Sequence, residues 1–219
     1  ESIGAQFGTN LNAYTSLDET VYMLRDIPTI RESIVDSTLL ILHDWSGFIS
    51  LEAEEIDKER GVIREEWRTG ATANRRMWKE GNKQKYPNSQ YAKRDVIGDT
   101  AVINHFAYDT LRAYYKKWYR PDLQAIVVVG DVNVALVEEK IKSIFADIPL
   151  VENPAERIFY PIQENEEPIV LIVTDQEATA SVLGVEMKYS QMPKAKKLSQ
   201  EGYLEYLSVG LIETMFQNR

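Results

Sequence analysis

Residues 51–68, Leu51-Glu-Ala-Glu-Glu-Ile-Asp-Lys-Glu-Arg-Gly-Val-Ile-Arg-Glu-Glu-Trp-Arg68, decide how this chain is read. Ser50 stands in front of them as a helix cap, and apolar residues recur at helical spacing. A helix is therefore expected from about Leu51 to about Arg68. On a wheel at about 100° per residue, Ile56, Val62, Ile63 and Trp67 form one arc, and Glu59 and Glu66 fall inside it. Seven residues turn about 700°, so the two carboxylates point within about 20° of each other, about 10 Å apart along the axis. A carboxylate in an apolar stripe is costly unless a charge or a metal compensates it. Two of them in one stripe point to a cation. The plainer reading is a solvated, Glu-rich surface helix. Glu52 and Glu55 lie near the arc too, but in the first turn, where the helix dipole and solvent account for them.

The neighbouring segments set this helix in an α+β frame. Upstream, Leu11–Thr15 and Thr20–Arg25 read as two adjacent short strands. Pro28 precedes an amphipathic helix over Thr29–Trp45, which Gly47 ends. Downstream, Gly70–Arg94 is a polar excursion with a doubtful helix start. A helix is expected over Tyr108–Trp118, a strand over Leu123–Val129 closed by Gly130-Asp131, and a helix over Val132–Phe145. Four of the eight prolines fall between Asp147 and Pro168, the best candidate for a domain junction. Strands at Ile169–Val173 and Ala180–Met187 and a last helix over Tyr203–Arg219 follow. The order suggests a sheet faced by helices.

Composition excludes several function classes. Twenty-five Lys and Arg against 34 Asp and Glu give a net charge of −9, which argues against binding nucleic acid through bulk charge. No apolar run approaches the roughly 18 residues of a membrane span. With no cysteine there is no disulfide, thiolate nucleophile or Cys-bound metal. There is no Gly-x-Ser-x-Gly elbow, no phosphate loop and no Gly-x-Gly-x-x-Gly. Only two histidines occur, His43 and His105, without a second His three or four residues from either. Each reads as a packed or surface residue before it reads as a ligand. Residue 1 is Glu, no signal segment follows, and the last helix stops without a cap, so the chain reads as a piece of a longer protein.

Four stretches, in order, resemble the pitrilysin/insulinase-type zinc metallopeptidases, the inverzincins, which include mitochondrial processing peptidase. They are Gly8-Thr-Asn-Leu-Asn-Ala-Tyr-Thr-Ser16 with Glu19-Thr-Val-Tyr22, then Glu55–Glu66, then Tyr119-Arg-Pro-Asp122, then Val127-Val-Val-Gly-Asp131. In that family zinc is held by the two His of an inverted His-x-x-Glu-His helix and by a Glu on a later helix, seven residues after another Glu. The resemblance therefore implies Glu66 as metal ligand and Glu59 as its catalytic companion, holding charge near the metal. It also implies that Asn12, Ala13, Tyr14 and Thr15 form a sheet edge that holds peptide substrate by main-chain hydrogen bonds. The His-x-x-Glu-His segment and the family's Arg-Tyr pair are absent from these 219 residues.

The resemblance further implies a parent protein that hydrolyses peptides with Zn2+, and an isolated chain that is inactive and binds no zinc of its own. The alternative is a non-catalytic, peptidase-like partner subunit that binds peptide or a catalytic homologue. Residues 1–153 would be the first peptidase domain without its N-terminal part, and 154–219 the junction and the start of a second, similar domain. Partners would be a peptide and the remaining half of the peptidase or a homologous subunit, with no nucleic acid and no membrane span. A cysteine-free chain leaves compartment open between cytoplasm and a bacterial periplasm or envelope, the latter favoured.

Overall fold

A computed structural model describes residues 5, 6, 8–190 and 192–217 of the chain. The described residues divide into two compact units, one up to Ala178 and one from Thr179 onward. The class is α+β. In the first unit a hairpin of β1 (Leu11–Thr15) and β2 (Thr20–Leu24) precedes α1 (Glu32–Gly47), α2 (Ala53–Gly70) and α3 (Ala73–Lys85). Then come α4 (Thr100–His105), α5 (Tyr108–Trp118) and α6 (Val134–Ile144). The hairpin is antiparallel, with Leu11 opposite Leu24 and Thr15 opposite Thr20. The second unit holds α7 (Lys194–Lys197) and α8 (Gln200–Gln217). Its turn depends on Gly202, where a Cβ would collide with the Lys196 carbonyl.

The core of the first unit forms around α1. Leu39 is almost completely enclosed, and Ile34, Ile56, Ile103, Val137 and Ile148 are buried. Tyr22 of β2 packs on Trp45 of α1 at 5.4 Å between ring centres and shares a 2.8 Å hydroxyl bond with Tyr119. Tyr115 of α5 donates to the Trp45 carbonyl at 2.8 Å. Three elements far apart in sequence thus meet through phenol groups whose polar ends are satisfied. On the other flank, Lys140 of α6 reaches Glu32 at 2.6 Å and also Asp36, both on α1. In the first turn of α3, Arg76 grips Asp175 with two nitrogens at 2.7 Å, which holds the Asp175 carboxyl down to about 2.

Two expectations meet corrections. The polar stretch after Gly70 forms a full helix, α3, capped by Thr72, whose hydroxyl accepts from the Arg75 N–H at 3.3 Å. It has no buried residue, so apolar periodicity could not reveal it. Conversely, Leu123–Val129, Ile169–Val173 and Ala180–Met187 form no strands: β1 and β2 make the one sheet among the described residues. Val127 and Val129 are 80% and 91% exposed. A strand exists through its ladder, and no neighbour here supplies one. Smaller differences concern ends: Glu52 rather than Ser50 precedes α2, without a side-chain cap bond, and Gly47 lies within α1. The last helix begins at Gln200, and residues 218 and 219 lie outside the described residues.

Two buried polar groups hold this unit together. Arg120 is 3% exposed and donates to Asp122 at 2.9 Å, to the Lys117 carbonyl at 3.2 Å and to the Ala155 carbonyl at 2.6 Å. Replacing it by Met keeps the bulk and strands those acceptors. Arg120→Met should lower unfolding free energy by about 2–3 kcal/mol, read as a shifted urea midpoint.

His43 is buried between Phe48 and Phe145, with Nε2 2.9 Å from Asp147 and Nδ1 3.1 Å from Asp44. Burial disfavours its charge, but the hydrogen bonds to Asp147 and Asp44 outweigh burial and raise its pKa. A raised folded value means the stabilisation is fully present below the unfolded value of about 6.5 and is lost as pH rises through the folded one. The thermal midpoint of the chain should fall across that window, and His43→Asn should flatten this part of the pH profile.

Candidate metal-ligand helix and substrate edge

The inward face of α2 is narrower than its sequence suggests. Ile56 is buried, and Ala53, Arg60 and Ile63 are half-buried, while Val62 is 58% exposed. On the wheel, Ala53, Ile56, Arg60, Ile63 and Trp67 lie within about 80° of one another, and Glu59 and Glu66 sit about 60–80° from Ile56, on the flank. Both carboxylates are exposed. Neither has a hydrogen bond or ion pair among the described residues, whereas Glu65 next door is taken by Arg68 at 2.8 Å. Without Val62, the stripe that enclosed the two Glu residues opens to solvent on their side. Their separation along the helix, about two turns, stands as expected.

What turns inward instead is Arg60. Its guanidinium donates to the Phe106 carbonyl at 2.5 Å and to the Ile103 carbonyl, and lies 3.7 Å from the Phe106 ring centre. These carbonyls belong to the last turn of α4 and the residue after it, where helical carbonyls lack partners and a cation is favoured. Asp57 accepts from Arg60 Nε at 3.1 Å and from the Tyr108 hydroxyl at 2.6 Å, and that bond raises the Tyr108 pKa. Just before α2 begins, Arg112 of α5 donates twice to the Leu51 carbonyl, at 2.9 and 3.2 Å. Leu51 takes φ of 50°, a left-handed conformation that a branched side chain adopts at a cost. Asp57, Arg60, Phe106, Tyr108 and Arg112, with Asn104 and His105, line an open cleft of about 540 Å³. The cluster escaped the sequence reading. Its signal was present: Arg60 stands four residues after Ile56 and three before Ile63.

The chain fits a metal as a contributor of one ligand. The Glu66 oxygens are available, and carboxylate oxygen suits zinc. Imidazole does not come from this chain's own pair: His43 has both nitrogens engaged by carboxylates, and His105 lies in the Arg60 cleft. No group of three or more His, Asp or Glu able to hold a metal occurs among the described residues.

The substrate-edge residues form β1. Backbone bonds from Arg25 to Asn10 at 2.9 Å and from Ser16 to Glu19 at 2.8 Å flank the ladder. Asn12 and Tyr14 therefore turn their backbone groups toward β2, and Leu11, Ala13 and Thr15 turn theirs to the outer edge. That edge pairs with no strand among the described residues. Asn12 Oδ1 covers the Ala13 N–H at 2.8 Å. Tyr14 donates to Glu19 at 3.3 Å, and Thr15 meets Thr20 across the hairpin at 3.3 Å. No hydrogen bond or ion pair links β1 to α2 among the described residues.

Known proteins resemble the chain along its length. Residues 1–88 match the family described as "Insulinase (Peptidase family M16)", and residues 105–218 match its companion, "Peptidase M16 inactive domain". The chain is 32% identical to a "Zinc protease PQQL-like" of Arabidopsis thaliana over 99% of its own length and 22% of that protein. It is 28% identical to the "Probable zinc protease PqqL" of Escherichia coli strain K12, over its whole length and 23% of that protein. The crystal structure of the first half of the periplasmic protease PqqL from Escherichia coli superposes with a TM-score of 0.69. That match has 32% identity and covers 75% of this chain and 35% of that one. The chain spans less than a quarter of the length of these two relatives. With both halves of the sequence matched, the chain belongs to the insulinase family of peptidases, family M16.

Proposed function

We propose that the protein to which this chain belongs is a zinc-dependent metalloendopeptidase acting on peptides. The observation that carries this reading is the pair of family matches, over 1–88 and 105–218, in a chain whose α2 leaves the Glu66 carboxylate unpaired. Glu66 would provide one oxygen to the metal. Glu59, two turns earlier on the same flank, would add negative charge beside it. Bound zinc would supply Lewis-acid activation of water against the scissile carbonyl. The outer edge of β1 would take the substrate as an added strand, through the backbone groups of Leu11, Ala13 and Thr15, with Asn12 Oδ1 leaving the Ala13 N–H as the peptide arrives.

Periplasm or envelope is the proposed compartment, supported by the periplasmic description of the Escherichia coli PqqL structure. Residues 154–219 would contain the junction and the beginning of the second domain, and the rest of the peptidase or a homologous subunit would complete it. A second reading, a non-catalytic partner subunit, has one observation in its favour: the companion family matching 105–218 is described as inactive.

In the full-length protein, Glu66→Gln should lower zinc affinity or activity by about 10- to 100-fold or more. Unchanged zinc content and turnover would end the assignment. The 219-residue chain alone should show no peptidase activity and no stoichiometric zinc binding at about 1 μM or tighter by calorimetry, because a carboxylate flank without imidazole is a poor zinc site.

A further inference from the structure

The helix that carries Glu59 and Glu66 has little apolar anchorage. Of its 18 residues only Ile56 is fully buried. A helix so weakly packed needs another restraint to keep its direction. Two guanidinium groups provide it. Arg112 holds the Leu51 carbonyl at the start of α2, and Arg60 holds its middle.

We propose that Arg60 is a positioning residue: its bonds to the Ile103 and Phe106 carbonyls and its stacking on Phe106 fix the direction of α2 and so aim Glu66 at the metal. This rests on the assignment of Glu66 as a ligand. The Arg60 side chain is only 14% exposed, so its bonds face little competition from water. It is braced from below by Asp57, which Tyr108 holds in turn. The geometry suits arginine alone. A planar fork can reach two carbonyls and lie flat on a ring, and the single ammonium of lysine cannot do both.

Leverage makes the clamp matter. Glu66 lies six residues beyond Arg60, about 9 Å along the axis. A pivot of about 10° about Arg60 would shift the backbone at Glu66 by about 1.6 Å. Metal–ligand distances tolerate about 0.2 Å. A small loss of restraint at Arg60 is therefore large at position 66, although Arg60 itself touches neither metal nor substrate.

The test uses the full-length holoprotein and four variants: Arg60→Met, Arg60→Lys, Tyr108→Phe and Arg120→Met. Zinc affinity is read by competition with a chromophoric chelator, and amide hydrogen exchange of residues 60–70 is read in the zinc-free protein. Arg60→Met and Arg60→Lys should each weaken zinc about 10- to 100-fold and speed exchange along α2, with KM for peptide unchanged and kcat recovered by excess zinc. Tyr108→Phe, which removes one brace from Asp57, should shift both readouts the same way by less. Arg120→Met, more deeply buried and bonded to Asp122, Lys117 and Ala155 rather than to α2, should lower the melting temperature and leave zinc affinity alone.

Wild-type zinc affinity in Arg60→Lys or Arg60→Met overturns the inference. So does an equal loss of zinc in Arg120→Met, which would mean a general stability effect. If the Arg60 variants do not fold, Tyr108→Phe decides, and unchanged zinc affinity and exchange there overturn it. Glu66→Gln measured in parallel separates the two claims. Loss of zinc in that variant with retention in the Arg60 variants refutes the clamp alone. Retention of zinc in Glu66→Gln refutes the ligand assignment and the clamp with it.

Discussion

The guanidinium of Arg60, seated on Phe106 and bonded to two carbonyls at the end of α4, is the contact on which the candidate site depends. The end of a helix leaves carbonyls without partners and carries partial negative charge. A buried cation placed there answers both needs, and the carbonyls in turn satisfy the cation. Because Ile56 is the one fully buried residue of α2, this polar contact does for the helix what an apolar stripe does elsewhere. The strained backbone at Leu51 fits the same picture: Arg112 bonds the carbonyl of the residue in the left-handed conformation and so helps hold the turn into α2.

Cations serve as ties throughout the first unit. Arg76 joins α3 to the 175–177 segment, Lys140 joins α6 to α1, and Arg120 joins the end of α5 to Ala155. The chain carries nine more acidic than basic side chains, so committing cations to structure leaves carboxylates over. Glu59 and Glu66 are among those left over, about two turns apart on one flank of α2. A helix flank with unpaired carboxylates is electrostatically ready for a cation, and in a family whose named members are zinc proteases this is the feature of the chain that fits the metal.

The extended apolar segments follow from how sheets are made. Ile126 to Val129 and Ile169 to Val173 alternate between more and less exposed residues, as strands do, yet both of their faces are apolar. Such a pattern belongs to strands covered on both sides and paired on both edges. Hydrogen bonding along a strand is supplied by neighbours, and β1 and β2 are the only paired strands among the described residues. These segments keep their strand-like alternation without a ladder.

Much of this was legible in the amino-acid order. The helices over 108–118 and 134–144, the hairpin, and the placement of Glu59 and Glu66 on one flank all come from spacing, because helical and strand periods are local properties of the chain. The order of four short motifs was enough to suggest the family. Spacing could not tell which part of the α2 arc is buried, since Val62 and Ile63 look equally apolar and only the presence of α4 on one side distinguishes them. Nor could it show that Arg60 faces inward, because the carbonyls it binds lie more than forty residues away. The polar α3 was hidden for the opposite reason, having no buried face to mark it. Local order determined which residues share a face; tertiary structure decided which face is dry, because burial and strand pairing depend on partners that lie far along the chain.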